Sequence, residues 1–400
     1  MFDSLFSLFS HDLGIDLGTA NILVHVRGKG IAIREPSIVA RHNKTKKIIA
    51  VGAEAKKMLG KTPGTISAIK PLEHGVISDF DAASYMLQYY IKKVHEVGTP
   101  FYQLARPRVA VGIPSGVTEV ERRAVWEAAL QAGARECYLI EEPMAAAVGA
   151  GVSVFEPTGI MLVDIGGGTT EIAVISLGGI VVNRSLKIAG NEMDQAIINY
   201  IRLRHGLLIG EKTAEEVKIK IGSAYKQNKK STLRLRSGRE IKNQPRLDRG
   251  QKLEESEVKN EEKQMKKNDM EDVAIDEGLG KERIAIIRGR DIETGLPKSL
   301  RMNEIEIREA IGPIISQIID SVMEVLEETP PELTGDILEH GIMVTGGGSL
   351  IPGIDELITE RSRIPVILVE DPLTTVVRGT ARLLEEPNLL NQVKVTGGLR

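Results

Sequence analysis

The stretch IDLGTANILV at residues 15–24 decides the fold, because a related stretch, VDIGGGTTEIAV, occurs at residues 163–174. An alignment of Asp16 with Asp164, with a gap after Gly18, matches the aspartate, an apolar residue, glycine, threonine and an Ile-x-Val sequence. The offset is 164 − 16 = 148 residues. Each stretch is typical of a strand, a glycine-rich turn and a second strand. The repeat therefore predicts two related halves that each open with such a hairpin.

Further helices and strands are predicted around the two hairpins. A capping box at its start predicts a helix over residues 118–133, and RVAVGIP predicts a strand over residues 108–114. Isoleucines and valines at helical spacing predict a long helix over residues 303–328, which leads to the glycine run GIMVTGGGS at residues 341–349. Both halves are therefore predicted to mix helices and strands.

The composition excludes several classes of protein. A chain of 400 residues is long enough for two or three domains with a substantial core. Its 52 basic and 55 acidic residues give a net charge of −3, so we expect no nucleic-acid partner. The single cysteine, Cys137, cannot form an intrachain disulfide. No apolar stretch reaches the roughly 18 to 20 residues of a membrane span. We therefore expect a cytoplasmic location.

The first twelve residues, MFDSLFSLFSHD, have the spacing of an amphipathic helix. Such a helix is either a docking segment that packs on the body of the protein or an interfacial membrane anchor. Three phenylalanines within two turns favour the anchor, and many copies on a polymer would add their weak affinities by avidity. The candidate membrane-contacting residues are Phe2, Leu5, Phe6, Leu8 and Phe9.

One segment departs from the alternation of helices and strands. Residues 226–252 contain ten basic and two acidic side chains, whereas residues 253–277 contain ten acidic side chains and four lysines. The apolar residues have no period, which is typical of a solvated, unfolded chain. We predict a disordered charged insertion over residues 226–282. A basic patch for anionic lipid or nucleic acid is the alternative.

Three glycine-rich turns follow predicted strands. Backbone N–H groups of such turns suit phosphate oxygens, and the two duplicated turns would face each other across a cleft. The third turn suits the close approach of a flat base or ribose. The sequence has no GxxxxGK[ST] motif and no dinucleotide-binding GxGxxG motif. The three runs are Gly18-Thr19-Ala20-Asn21, Gly166-Gly167-Gly168-Thr169 and Gly346-Gly347-Gly348-Ser349.

An aspartate precedes each of the two duplicated turns within an otherwise apolar strand. A carboxylate in IDLG or VDIG is costly to bury unless a cation compensates its charge. Mg²⁺ bound to nucleotide phosphates, and held largely through water, would supply that charge. Asp16 and Asp164 are therefore predicted to lie next to a magnesium ion.

Several motifs, in order along the chain, resemble those of the actin, sugar-kinase and heat-shock-chaperone ATPase superfamily: DLGTAN, VGIP, IEEPMAAA, VDIGGGTTE and VTGGGS. Longer stretches resemble the MreB family of bacterial actins, among them GKTPGTISAIKPLEHGVISDF, VERRAVWEAALQAGARE and TPPELTGDILEHGI. The resemblance covers nearly the whole chain except roughly residues 226–282.

The resemblance implies an actin-like α/β ATPase fold, in which two duplicated RNase H-like halves and four subdomains surround a nucleotide cleft. The implied boundaries are 1–12 for a membrane-binding helix, 13–149 for the first half (IA, with IB at about 36–74), 150–372 for the second half (IIA, with IIB at about 185–302), and 373–400 for a C-terminal return to IA.

The resemblance also implies roles for residues of the cleft. Asp16 and Asp164 would hold the magnesium shell, and ATP would be the nucleotide. Glu142, in IEEP, would orient or activate the attacking water, with Thr169 beside it. The other implied contacts are Thr19, Ala20 and Asn21 for the first phosphate loop, Gly167, Gly168 and Thr169 for the second, Glu215, Glu216 and Lys218 for the adenosine, and Gly346 to Ser349 for closure of the site.

The function implied by the resemblance is that of a cytoskeletal protein. Slow hydrolysis of ATP would accompany polymerisation into filaments of paired antiparallel protofilaments on the inner face of the cell membrane. Phe101 and Tyr102, in the loop at residues 98–107, would join the N-terminal helix there. The filaments would direct cell-wall synthesis and maintain rod shape. Implied partners are the elongation machinery, such as MreC, MreD, RodZ and penicillin-binding proteins.

Two other functions of the same superfamily stay open from the residues. A small-molecule, sugar-type kinase would need an acceptor pocket with a catalytic aspartate, and no further carboxylate motif demands one. A chaperone-type ATPase would need a long substrate domain after the nucleotide core, whereas about fifty residues follow the third glycine run.

Overall fold

A computed structural model of the chain describes residues 10–96, 106–225, 273–276 and 283–395. Its first part contains a large sheet, a small sheet, a two-stranded hairpin and four helices. The strands are β1 (Leu13–Leu17), β2 (Asn21–Val26), β3 (Gly30–Pro36), β4 (Val39–His42), β5 (Ile48–Val51), β6 (Ile66–Ile69), β7 (Leu72–Glu73), β8 (Val76–Ile77), β9 (Arg108–Ile113) and β10 (Glu136–Glu141). The helices are α1 (Ala53–Met58), α2 (Phe80–Glu96), α3 (Glu119–Gln131) and α4 (Glu142–Gly149).

The second part repeats the large sheet and adds the chain's longest described helix. The strands are β11 (Ile160–Ile165), β12 (Thr170–Ser176), β13 (Gly179–Leu186), β14 (Leu207–Leu208), β15 (Val273–Asp276), β16 (Ile284–Asp291), β17 (Pro297–Asn303), β18 (Ile342–Thr345) and β19 (Val366–Leu368). The helices are α5 (Gly190–His205), α6 (Glu211–Ile221), α7 (Glu304–Glu328), α8 (Pro331–His340), α9 (Ile354–Ser362), α10 (Thr375–Glu385) and α11 (Pro387–Val393), with a 3₁₀ turn at Gly347–Leu350.

The two large sheets have the same topology. The first has the order β10-β9-β1-β2-β3 and the second the order β13-β12-β11-β18-β19, which is the same pattern listed from the opposite edge. In each sheet the first three strands along the chain pair antiparallel and the later two are added in parallel. The predicted duplication of two α/β halves is therefore confirmed.

The register of the two hairpins corrects the alignment of the repeat. Leu17 pairs with Ile22 and Ile165 pairs with Thr170, so both turns have four residues. The gap after Gly18 is therefore wrong, because it aligns residues that lie at different distances from the two turns. In the corrected alignment the aspartates and first glycines still match, whereas the structural equivalent of Leu23 is Glu171.

Local signals in the sequence account for the starts of two helices. Thr118 and Glu121 form the predicted capping box at the start of α3, since each side chain bonds the backbone N–H of the other residue. Asn303 and Glu306 form a second capping box at the start of α7. The observed helices therefore begin within a residue of the predicted starts.

Each half also carries a smaller sheet. In the first half β4 pairs with β5 and β6, and α1 packs on this sheet. In the second half β16 pairs with β14, β15 and β17, and α6 packs on β16. Residues 273–276 thus form a strand within the predicted disordered insertion, because a short apolar run finds a partner in the sheet. The rest of residues 226–282 lies outside the described residues.

Helices α4 and α10 lie between the two large sheets. Apolar residues from both sheets and both helices, among them Ala110, Leu162 and Val376, form one buried cluster. The two helices approach closely at glycines, since a Cβ at Gly379 would lie 1.7 Å from the carbonyl oxygen of Ala145. A larger residue there would push the helices apart. This packing makes the C-terminal helices part of the wall between the halves.

Within the described ranges, no helix is long and apolar enough to cross a membrane. The candidate membrane-contacting residues of the N-terminus and of the loop at residues 98–107 lie outside the described residues. These are Phe2, Leu5, Phe6, Leu8, Phe9, Phe101 and Tyr102.

Candidate functional site

A cavity of about 750 Å³ lies between the duplicated hairpin turns. It brings together residues from both halves that are more than 300 positions apart in the sequence. The residues of the predicted site that line it are Asp16, Gly18, Thr19, Ala20, Asn21, Glu142, Asp164, Gly166, Gly167, Gly168, Thr169, Glu215, Lys218, Gly346, Gly347 and Gly348.

Two predicted residues do not line this cavity. Glu215 and Lys218 share one face of α6 and reach the cavity, whereas Glu216 points elsewhere because it is rotated by about 100° around the helix. The Glu216 carboxylate is buried and lies 3.7 Å from Nζ of Lys212. Ser349 is also buried, and its hydroxyl donates to the carbonyl oxygen of Gly346 at 2.6 Å. Ser349 therefore supports the third glycine turn from the side that faces away from the cavity.

The two duplicated turns face each other at close range. A Cβ at Gly167 would lie 2.5 Å from Cβ of Ala20, so only glycine fits there. The second turn is held by the start of α5, where the N–H of Asn191 donates to the Gly167 carbonyl oxygen at 2.7 Å. The first is held by Ser37, whose hydroxyl donates to the Gly18 carbonyl oxygen at 2.6 Å. The turns therefore form one fixed cradle.

The aspartates at the base of these turns have no ion-pair partner among the residues that the structure describes. Asp16 is half-buried and Asp164 is 8% exposed, and neither makes an ion pair within the described part of the chain. Desolvation raises the pKa of Asp16 to about 7 and the pKa of Asp164 to about 8. Two carboxylates that resist ionisation beside one cavity fit a divalent cation, whose charge would reverse both shifts.

A third carboxylate, Glu142, stands at the first residue of α4 beside the cavity. It is 9% exposed. Burial raises the pKa of this carboxyl well above its usual range, and the negative charges of Glu171, Asp16 and Asp164 raise it further. In its ionised form, which the charge of a bound cation would favour, a carboxylate next to a phosphate cradle can accept a proton from water.

Sequence reasoning missed a hairpin that enters the cavity from the first half. At its tip, between β7 and β8, the N–H of Gly75 donates to the Thr19 hydroxyl at 2.9 Å. A Cβ at Gly75 would lie 2.8 Å from Cγ2 of Thr169, so the tip contacts both turns. Gly75 and His74 both have positive φ angles. The adjacent His74-Gly75 pair was the available signal, since it is typical of a tight turn.

Ion pairs at the mouth of the cavity were also missed. Lys56 on α1 pairs with Glu215 at 2.8 Å, and Lys70 pairs with Glu211 on α6 at 2.8 Å. The partners are 159 and 141 residues apart, so no local pattern could have linked them. Nζ of Lys218 lies 2.8 Å from the Asp194 carboxylate, and both residues line the cavity.

The fold and the cavity define an actin-like protein. The solved structure of MreB5 of Spiroplasma citri bound to ADP is similar, with a TM-score of 0.77 and 37% identity, over 96% of this chain and 98% of that chain. The MamK double helical filament, at 23% identity, has a TM-score of 0.67 over 94% of this chain and 99% of that chain and shows the same fold.

The sequence comparisons narrow the class to one family. The sequence model of the MreB/Mbl protein family matches residues 10–274 and 262–392. Cell shape-determining protein MreB of Escherichia coli (strain K12) is 46% identical over 382 residues, which is 94% of each chain. Cell shape-determining protein Mbl of Bacillus subtilis (strain 168) is 40% identical over 389 residues, 97% of this chain and 100% of the relative. The chain belongs to the MreB/Mbl family.

Proposed function

We propose that the cavity binds ATP with Mg²⁺. The observation that carries this proposal is the pair of carboxylate-bearing hairpins that face each other across the 750 Å³ cavity. Support also comes from solved relatives, since MreB5 of Spiroplasma citri is described as bound to ADP and to AMPPNP. Asp16 and Asp164 would hold the ion through water, and the glycine turns would hold the phosphates.

We propose further that the protein hydrolyses ATP slowly. When bound, Mg²⁺ neutralises charge on the phosphates. Glu142 lies beside the cavity, and in its ionised form, which the charge of Mg²⁺ would favour, it suits the role of orienting the attacking water and accepting its proton. Thr169, from the second turn, would fix the position of that water. The adenosine would lie against Glu215, Lys218 and the third glycine turn.

We propose that this activity serves a filament that maintains cell shape. Relatives at 40–46% identity are named cell shape-determining proteins, and the structural neighbour MamK is described as a double helical filament. The four subdomains and the antiparallel pairing of protofilaments, both implied by the family resemblance, belong to this proposal. MreC, MreD, RodZ and penicillin-binding proteins are proposed partners in cell-wall elongation.

Electron microscopy of the purified protein on a lipid monolayer tests the polymer. We expect filaments with ATP and Mg²⁺, and a rise in light scattering with no sugar or peptide present. Matched samples with ADP or with EDTA control for nucleotide and metal. Turnover that depends on a sugar, with no filaments, would instead favour a kinase.

We propose that the N-terminal helix, together with Phe101 and Tyr102, attaches the filament to the inner face of the cell membrane. Its support is the amphipathic spacing of residues 1–12. Deletion of residues 2–9 should reduce co-sedimentation with liposomes while leaving ATP-dependent scattering unchanged. Equal pelleting of the deleted and full chains would contradict the anchor.

A further inference from the structure

One buried acidic side chain beside the cleft has no part in the function proposed above. Glu171 on β12 is 1% exposed and does not line the cavity. In the hairpin register it lies opposite Asp164, whereas the equivalent residue opposite Asp16 is Leu23. The duplicated fold accommodates an apolar residue at this position, so the backbone alone does not require a carboxylate there. Burial of a carboxylate costs free energy unless donors compensate it.

Three hydrogen-bond donors hold the Glu171 carboxylate, and they come from both halves. Ser115, between β9 and α3 of the first half, donates its N–H to Oε2 at 3.2 Å and its hydroxyl to Oε2 at 2.6 Å. Ser185, on β13 of the second half, donates its hydroxyl to Oε1 at 2.5 Å. Each carboxylate oxygen is therefore bonded to a different half of the molecule.

This bridge adjoins the groups assigned to hydrolysis. Pro114, the neighbour of Ser115, packs at the hairpin tip, since a Cβ at Gly75 would lie 2.6 Å from Cγ of Pro114. The N–H of Gly75 in turn bonds the hydroxyl of Thr19 in the first turn. The negative charge of Glu171 also raises the pKa of Glu142, more than the charges of Asp16 and Asp164 do. The bridge therefore connects, through direct contacts, to a phosphate turn and lies within electrostatic reach of Glu142.

We propose that Glu171 is a positioning residue for ATP hydrolysis, because its hydrogen bonds to Ser115 bridge the two halves and hold them in the arrangement that places Glu142 beside the phosphates. Ser185 supports the same carboxylate from within the second half. The proposal rests on the ATPase function proposed above. Glu171 does not line the cavity, so loss of the bridge should slow turnover and leave nucleotide binding intact. A displacement of about 1 Å at a reacting group can cost about 100-fold in rate.

The two serines provide a matched pair of variants. Ser115→Ala and Ser185→Ala each remove one short hydroxyl bond to the same carboxylate, but only Ser115 belongs to the first half. We expect kcat to fall about tenfold in Ser115→Ala and more in Glu171→Ala, and to change less than about threefold in Ser185→Ala. The dissociation constant of ATP, and pelleting with a non-hydrolysable ATP analogue, should match those of the unaltered protein in all three.

Glu171→Gln is the conservative variant. Its amide oxygen can accept from both groups of Ser115, and its NH₂ group can donate to the Ser185 hydroxyl, which rotates. We therefore expect most of the lost turnover to return in this variant. A role that depended only on filling space would show no difference between glutamine and alanine beyond their melting temperatures.

Hydrogen–deuterium exchange gives a readout that needs no turnover. Because the Ser115 N–H donates to Glu171, Glu171→Ala should speed exchange in residues 114–118. Ser185→Ala should leave the same segment protected. The nucleotide-free protein serves for both measurements.

Each outcome decides the proposal. Equal kcat losses in the two serine variants, an ATP affinity that falls in parallel with kcat, or unchanged exchange in Glu171→Ala would overturn it. If Glu171→Ala does not fold, the comparison of the two serine variants still decides. An unaltered protein that binds ATP without hydrolysing it would refute the proposed ATPase itself, which is a different result from normal turnover that is insensitive to Ser115.

Discussion

The two hairpins at the base of the cleft share their backbone and differ in the residues around it. Each has a four-residue turn and an aspartate in its first strand, so the duplicated fold alone produces a symmetric pair of carboxylates. Opposite Asp16 lies Leu23, whereas opposite Asp164 lies Glu171. Asp164 is also the more enclosed, since a Cβ at Gly346 would lie 2.3 Å from its Oδ1 atom. The duplicated fold therefore explains the two facing turns and their aspartates, whereas residues that differ between the halves, such as Glu171, distinguish the two sides of the site.

The largest expected effect comes from Glu142, which belongs to the first half. Its replacement in Glu142→Ala should lower phosphate release by about 100-fold or more, because general acid–base groups contribute rate factors of about 100 to 10,000. The affinity for Mg²⁺ and ATP should change little. Glu141→Ala is the control, since this neighbouring carboxylate does not line the cavity. Unchanged turnover in Glu142→Ala would remove the assignment.

The second effect compares the duplicated aspartates directly. We expect Asp164→Asn and Asp16→Asn to weaken Mg²⁺-dependent ATP binding by about 10- to 100-fold, the usual range for residues that position a metal's ligands. The loss should be larger for Asp164→Asn because the Asp164 carboxylate is more fully buried. Titration of Mg²⁺ at fixed ATP measures both. Equal affinities of the two variants for Mg²⁺ and ATP would show that the difference in burial does not affect binding.

The third effect is a pH dependence of the stability of the nucleotide-free protein. Desolvation raises the pKa of Asp16 to about 7 and of Asp164 to about 8, from 3.8 in a model peptide. Between pH about 4 and 8 the folded state therefore holds protons that the unfolded state has released, so the free energy of unfolding falls as pH rises. Both carboxyls contribute to this fall, since one pKa unit is worth about 1.4 kcal/mol.

Melting temperatures of the nucleotide-free protein at pH 5 and pH 8 test this expectation. Asp164→Asn removes one titrating group, so the melting temperatures at pH 5 and pH 8 should differ less in this variant than in the unaltered protein. Asp16→Asn should reduce that difference by a smaller amount. Saturating Mg²⁺ and ATP should restore stability at pH 8 in the unaltered protein. If the melting-temperature difference between pH 5 and pH 8 is the same in both variants as in the unaltered protein, ionisation of these carboxyls does not destabilise the fold.

Sequence reasoning predicted the symmetric features better than the asymmetric ones. The strands, turns and paired aspartates are local patterns, and the repeat doubles their signal. The gap after Gly18 arose because threonine and an Ile-x-Val sequence recur by chance two positions out of register, which only strand pairing reveals. That gap also hid the equivalence of Leu23 and Glu171.

Long-range contacts of the site could not be predicted from the sequence. Ser115 and Glu171 are 56 residues apart, and Lys56 and Glu215 are 159 residues apart, so neither pair has a periodic signature. Glu216, which was predicted beside Glu215, does not line the cavity, because a motif names neighbours in sequence whereas a helix turns successive residues by about 100°. Which of two adjacent glutamates reaches the cavity depends on how α6 is rotated against the sheet.

The smallest expected effect concerns the mouth of the cleft, where the first half supplies lysines and the second half supplies glutamates. Lys56→Met should speed release of bound nucleotide by no more than about fivefold, because a partly exposed ion pair contributes about 0.2 to 1 kcal/mol. Lys57→Met is the control, since Lys57 pairs with Glu54 within the same half. Stopped-flow release of a fluorescent ADP analogue at low and high salt measures the difference.

Salt separates an electrostatic latch from a packing effect at this position. If the Lys56–Glu215 pair holds the mouth closed, the difference in release rate between Lys56→Met and the unaltered protein should shrink as ionic strength rises, because salt screens exposed charges. Lys57→Met should release nucleotide at the unaltered rate at every salt concentration. A Lys56→Met rate that is raised equally at low and high salt would indicate that the lysine stem acts by packing and that opposite charges on the two halves do not hold the cleft shut.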